Sequence, residues 1–228
     1  MVVFRHFSVL ISAKSAELGQ GMIDLEKNGA LWIARIRRPQ KANSLTKAML
    51  EDLTGFVGRA AGHARAVVLT GEGRVFSAGA DLDEARNGLA TDPVWEQLSG
   101  AIAALPCLTI AALNGTLAGG AFGMVLACDL RLAVAEARFF YPVMKLGFLP
   151  QPSDPARLAR LIGPARARMI LMAGARIDAA EALQWGLIDR IVPPDDLLEQ
   201  AGVLAADALA ASRGHVAAIK AMTSGGAA

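Results

Sequence analysis

Residues 114 to 129 read NGTLAGGAFGMVLACD, and the fold turns on how this stretch is read. An Asn-Gly pair, two adjacent glycines and a run of small apolar residues follow the apolar segment Leu108 to Leu113. Asn-Gly favours a tight turn, and paired glycines let another group approach the main chain closely. The small-residue run from about Gly120 to Cys128 suits a helix. The reading is thus strand, glycine turn, helix, with N–H groups at the helix start that have no intrahelical partner. Something is expected to come close to this backbone.

Working outward, the same succession returns. AVVLT, Ala66 to Thr70, is a short buried strand that runs into the glycine turn GEG. LWIARIR, Leu31 to Arg37, alternates as a strand and is ended by Pro39. From Lys47 to Ala61 the apolar residues Met49, Leu50, Leu53, Phe56, Val57 and Ala60 recur at three- and four-residue steps, predicting an amphipathic helix. Residues 94 to 104 form another. Beyond Asp129 come two β segments, LRLAVA and RFFYP, and then helices near 156–162, 165–172, 179–185 and 197–211. A strand over Leu187 to Val192 interrupts them. The repeats near residues 31, 66 and 108 suggest a recurring ββα unit, and no linker divides the chain.

Composition excludes several classes. The 228 residues are 54% apolar and 19% charged, which fits a globule with a sizeable core. Lys and Arg number 23 against 21 acids, net +2, with no basic run, so nucleic acid is not an expected partner. No run of ~18 apolar residues suggests a membrane span. Cys107 and Cys128 both lie in apolar surroundings and read as reduced core thiols of an intracellular, cytoplasmic protein. Residues 1–21 carry Arg5, His6 and Lys14 and no acid before Glu17, a faint transit-peptide pattern. A loose extension ahead of a start near Met22 is the favoured reading.

Familiar catalytic motifs are missing. There is no G-x-x-x-x-G-K-[ST], and GEGRVF lacks the last glycine of a dinucleotide fingerprint. Ser77 is not in a G-x-S-x-G elbow. His6, His63 and His215 are scattered, so no metal site is expected. What remains is a pair of backbone sites, Gly71 to Asp81 (GEGRVFSAGAD) and Asn114 to Gly120 (NGTLAGG). Each follows a buried strand and can present main-chain N–H groups. Two such donors converging on one oxygen make an oxyanion hole, which needs small residues rather than reactive side chains.

The ordered motifs RRPQKANSLT, GEGRVFSAGADL, LNGTLAGGAFGMVLACDLRLA, LGFLP and GARIDAAEALQWGLIDRIV resemble the crotonase, or enoyl-CoA hydratase/isomerase, superfamily over roughly residues 22 to 222. The resemblance implies an α/β fold, a crotonase-like spiral of ββα units over residues 22–192. A shortened helical C-terminal region follows over 193–228, where relatives usually continue for two or more helices. It further implies a bound acyl-CoA thioester, with coenzyme A entering as part of the substrate and no separate cofactor, and a homo-oligomer, trimer or hexamer. The shared step is stabilisation of a thioester enolate by two peptide N–H groups, which match Ala80 and Gly120. Lys41, Ala42 and Asn43 match the path of CoA, and Arg74 a cationic position that can meet its phosphate. Ala78, Gly79, Asp81, Leu82, Gly119, Gly123 and Val143 complete the expected substrate site.

The departures are informative. Hydratases of this family use two glutamates, and the matching positions here are Gly123 and Val143. Neither can move a proton, so efficient hydration by the usual route is not expected. Gln151 stands at another position that relatives use, Asp154 is the best acidic candidate, and Tyr141 is the only tyrosine. Ser153-Asp154-Pro155 also reads as a helix start, so capping is weighed ahead of catalysis for Asp154. Strand packing is likewise weighed ahead of catalysis for Tyr141, and capping for Asp81, Asp83 and Glu84. Three readings follow: a hydratase or isomerase with unusual catalytic residues, another enolate enzyme such as a decarboxylase or hydrolase, and a non-catalytic acyl-CoA binder.

Overall fold

The structure is a computed structural model and describes residues 21–223. The N-terminal extension, apart from its last residue, lies outside the described residues.

Among the described residues ten strands form two sheets. The larger holds β1 (Ile23–Asn28), β2 (Leu31–Ile36), β3 (Ala66–Gly71), β5 (Leu108–Leu113), β7 (Leu130–Ala133) and β10 (Arg190–Ile191), side by side in that order. Strands β2, β3, β5, β7 and β10 run parallel, and β1 pairs antiparallel at the edge. The smaller sheet holds β4 (Val75–Ser77), β6 (Thr116–Ala118), β8 (Arg138–Phe140) and β9 (Ile177–Asp178). The expected repeat is present at residues 66 and 108, but its third copy begins at Leu130 and not near residue 31, since no short strand of the smaller sheet follows β2. In each copy one strand enters the large sheet, turns sharply and contributes a second, short strand to the small sheet: β3 to β4, β5 to β6, β7 to β8.

The helices follow from the apolar spacing. Helix α1 (Lys47–Ala60) buries all six of the apolar residues that mark its stripe, and Thr46 caps it by accepting from the Met49 N–H. Phe56 on that stripe meets the ring of Trp32 on β2 at 5.7 Å. Helices α2 (Leu82–Arg86), α3 (Val94–Ala103), α4 (Phe122–Leu126), α5 (Val143–Leu146), α6 (Asp154–Ile162), α7 (Pro164–Leu171), α8 (Ala179–Trp185), α9 (Leu197–Ala210) and α10 (Arg213–Thr223) complete the α-helices among the described residues. Central strand β3 is buried at every residue, as expected for a parallel strand covered on both faces.

Some boundaries differ from the sequence reading. The run after Gly119 opens as a 3-10 turn over Gly119–Ala121 and becomes α-helical only from Phe122. The strand expected over 187–192 contracts to two residues. Helix α10 extends the helical region past the last helix expected from periodicity. Cys107 and Cys128 are both buried and unpaired. Burial pushes their thiols up, to about 11 and about 12, so neither is reactive. Among the described residues no helix is long and apolar enough to cross a membrane.

Candidate active site

The two glycine segments come together in space. Leu45 bridges Ala80 in parallel register, donating to the Gly79 carbonyl at 2.8 Å and accepting from the Asp81 N–H at 2.8 Å. In that pattern the bridged residue's own N–H points away from its partner, so Ala80 offers its donor to the opposite side. There it meets the second segment. Gly79 has φ +91, and a methyl group on it would lie 3.0 Å from the Ala118 carbonyl and 3.4 Å from the Gly120 nitrogen. Only glycine permits both the left-handed backbone and this approach. Gly120 sits in the first turn of the 3-10 segment, where N–H groups lack intrahelical acceptors.

Both residues line one cavity of about 130 Å³, together with Ala78, Leu82, Gly119, Tyr141, Val143 and Gln151 from the expected set. Trp95 on α3 forms part of the wall, its indole N–H fixed by the Leu89 carbonyl at 2.8 Å. A methyl on Gly120 would lie 3.3 Å from that ring. Leu82, Leu146, Phe148 and Leu149 continue the wall outward as exposed apolar side chains.

Other expected site residues stand outside the cavity, and several side chains have structural duties instead. Asn43 is fully buried: it accepts from the Arg38 N–H at 2.8 Å and donates to the carbonyls of Glu72 (2.9 Å) and Val75 (2.6 Å). Its side chain braces two loops and is not available to substrate. Asp81 caps α2 and pairs with Arg38 at 2.7 Å, whose hydrogen bond holds its carboxyl below the usual range. Asp83 and Glu84 follow it on that helix, and Glu84 accepts the Lys47 N–H at 2.7 Å. Lys41 and Arg74 are exposed, and Ala42 and Asn43 both have φ 51.

Gly123 and Asp154 bring a result that the sequence did not disclose. Asp154 is the first residue of α6 rather than its cap, and its side chain turns inward to complete burial. A methyl on Gly123 would lie 3.0 Å from Asp154 Oδ1 and 3.5 Å from Oδ2. The carboxyl thus occupies the space into which a side chain at position 123 would grow. Tyr141 Oη donates to Asp154 Oδ2 at 3.0 Å and accepts from the Gln151 N–H at 3.4 Å. The tyrosine ring stacks on Phe122 with centroids 5.3 Å apart. Asp154 Oδ1 is buried and has no hydrogen-bond partner among the described residues, an arrangement that costs roughly 1–3 kcal/mol or more.

Electrostatics follow from this burial. Desolvation pushes the Asp154 carboxyl up to about 7, with the Glu96 charge adding to it and the Tyr141 hydrogen bond and Arg157 opposing it. Burial, then the Asp154 charge, raises the Tyr141 phenol well above its usual 10. Gln151 is buried and donates to the Ala90 carbonyl at 3.3 Å. His63 stacks on Trp32 and His215 lies at the far side of the molecule. Among the described residues no group of three His, Cys, Asp or Glu could hold a metal ion.

A larger cavity of about 690 Å³ lies between α9, α10 and the starts of β5 and β7, lined by Leu108, Leu130, Val216 and Ile219 among others. It sits at the amino ends of the parallel strands. The glycine loops leave their carboxyl ends, where open α/β sheets place ligands, and the smaller cavity is therefore the better candidate.

With this geometry the class is defined as a crotonase-like ββα fold, and the comparisons agree. The model of the enoyl-CoA hydratase/isomerase family matches residues 26–226. The chain is 37% identical over 198 residues to YngF of Bacillus subtilis (strain 168), covering 83% of this chain and 76% of that protein. It is 36% identical over 210 residues to the carnitinyl-CoA dehydratase of Salmonella arizonae, covering 87% and 78%. The crystal structure of an enoyl-CoA hydratase from Bacillus anthracis superimposes with a TM-score of 0.84 at 32% identity, over 90% of this chain and 83% of that one. The chain belongs to the enoyl-CoA hydratase/isomerase family.

Proposed function

We propose that this protein binds an acyl-CoA thioester and stabilises its enolate through the main-chain N–H groups of Ala80 and Gly120. One observation supports the reading: Ala80 and Gly120, from separate glycine loops packed on each other through Gly79, line a single cavity. As the α-proton leaves, charge moves onto the thioester oxygen. Fixed donors already aimed at it stabilise that charge without reorganising, and each is worth about 2.7–4 kcal/mol in comparable sites. Apolar Leu82, Val143, Leu146 and Phe148 suit the acyl chain. Lys41 and Arg74, both exposed, are the proposed partners for the charged end of CoA. The resemblance also supports a trimer or hexamer, and the two core thiols suit an intracellular, cytoplasmic protein.

Hydration by two glutamates is not the proposed chemistry, because positions 123 and 143 are glycine and valine. That observation favours a different enolate reaction, decarboxylation or hydrolysis, over hydration, and keeps non-catalytic acyl-CoA binding as the second reading. The test is thermal. Butyryl-CoA at 100 times its Kd should stabilise the protein by about 2.7 kcal/mol, while butyrate should not. Gly120→Pro should abolish that response. Equal shifts by the thioester and the free acid would dismiss the backbone-donor site. Turnover in a panel of CoA thioesters then separates enzyme from binder.

A further inference from the structure

We propose that Tyr141 and Asp154 form the proton-transfer pair of this site, Tyr141 meeting the substrate and Asp154 relaying the proton from behind. The carboxylate missing at position 123 would thus be supplied from the start of α6. This rests on the acyl-CoA reading above.

The geometry carries it. Tyr141 lines the cavity alongside Gly120, whereas Asp154 lies behind it with no exposed surface. The phenol reaches the carboxylate at 3.0 Å, and the ring is held by its stack on Phe122. A side chain on Gly123 would begin 3.0 Å from Asp154 Oδ1, tight enough that the carboxyl would have to shift, so the glycine and the aspartate are complementary. The remaining oxygen is buried and unpartnered, as befits a site that gains and loses a proton. The charged groups facing the carboxyl are Glu96 from α3 and Arg157 one turn along α6.

The step balances without any added reactant. The α C–H bond of the thioester breaks and its electron pair moves to the thioester oxygen, under the Ala80 and Gly120 N–H groups. The proton goes to Tyr141 Oη, and the phenol's own proton passes along the existing hydrogen bond to Asp154 Oδ2. Tyr141 ends neutral and Asp154 ends as a carboxylic acid. The phenol is too weak an acid to serve as a free base, since burial holds its proton more tightly than usual. It therefore works as a conduit, with the Gln151 N–H steadying its oxygen. Running backward, the same path reprotonates an enolate, whatever reaction formed it.

The experiment follows α-deuterium incorporation into butyryl-CoA in D2O by NMR, with binding read separately from butyryl-CoA thermal shifts. The native protein should exchange, at a rate that rises with pH through about 7 as Asp154 becomes a carboxylate. Tyr141→Phe and Asp154→Asn should each bind butyryl-CoA normally and exchange ~100-fold more slowly or worse. The double variant should be no slower than either alone, because the residues act as a unit. Asp154→Asn should also lose the rise near pH 7, which a merely structural role would not affect. Should Asp154→Asn fail to fold, Tyr141→Phe keeps the stacked ring and decides the matter. Native-like exchange in the variants, or binding without exchange in the native protein, would overturn the relay and leave the backbone-donor reading standing. Absence of binding in the native protein would overturn both.

Discussion

At the scale of single residues, Asp154 couples the site to stability. Its carboxyl titrates near 7 in the folded chain, against 3.8 as its ordinary value. The folded state therefore holds the proton more tightly than the unfolded one. That contribution is complete below the unfolded pKa and is lost as pH rises through the folded pKa, so stability falls between about pH 4 and 7. Asp154→Asn, which mimics the protonated acid, should melt close to the native protein at pH 4. At pH 8 it should be more stable by an amount on the order of a few kcal/mol. Calorimetry at the two pH values decides it; a difference independent of pH would mean the carboxyl is not held neutral by burial. The vacancy at Gly123 was legible in the chain, but its filling was not. Ser153-Asp154-Pro155 carries the local signature of a helix start, and only the docking of α6 against α4 shows that Asp154 faces inward.

At the scale of elements, side-chain amides tie the two glycine segments together. Asn114 opens the decisive stretch as half of a turn, and its side chain does more. It accepts the Gly71 N–H at 2.9 Å and donates to the Gly73 and Val75 carbonyls at 2.9 and 3.2 Å. Asn43 reaches the same loop from the other side and holds two successive non-glycine residues in the left-handed region. Asn43→Ala should destabilise the protein by about 3 kcal/mol, roughly 1 for each lost hydrogen bond. Asn43→Gly should lose less, since glycine tolerates that backbone conformation. Urea unfolding of both would show it, and equal losses would rule out a conformational share. The long helices and large-sheet strands could be read from periodicity and buried runs. The three-residue strands β4 and β6 could not, because so short a segment shows no alternation. Their positions follow from the pairing of Val75 with Thr116 and Ser77 with Leu117.

At the scale of the molecule, helix α10 is fastened to the sheet on the side away from the glycine loops. Lys220 Nζ meets Asp129 Oδ2 at 2.8 Å and the Cys107 carbonyl at 3.0 Å, while Asp129 also accepts from Thr109 N–H and Oγ1. Lys220→Met should therefore leave a partly buried carboxylate with only the Thr109 donors among the described residues and cost on the order of 1–3 kcal/mol. Hydrogen exchange should accelerate in α10 while the cavity near Tyr141 keeps its protection. Uniform acceleration would instead mean that the clamp supports the whole fold.

The proposed use of main-chain donors at Ala80 and Gly120 has a consequence for how this protein tolerates change. A main-chain N–H belongs to every amino acid except proline, so ordinary substitution does not delete it. At Ala80 and Gly120 any residue but proline would keep the proposed donor, and at Gly120 the indole of Trp95 is the nearest obstacle to a side chain. A saturation library at these positions should therefore rank its small uncharged survivors by bulk, with carboxylate side chains lost whatever their size because they would oppose the charge the donors stabilise.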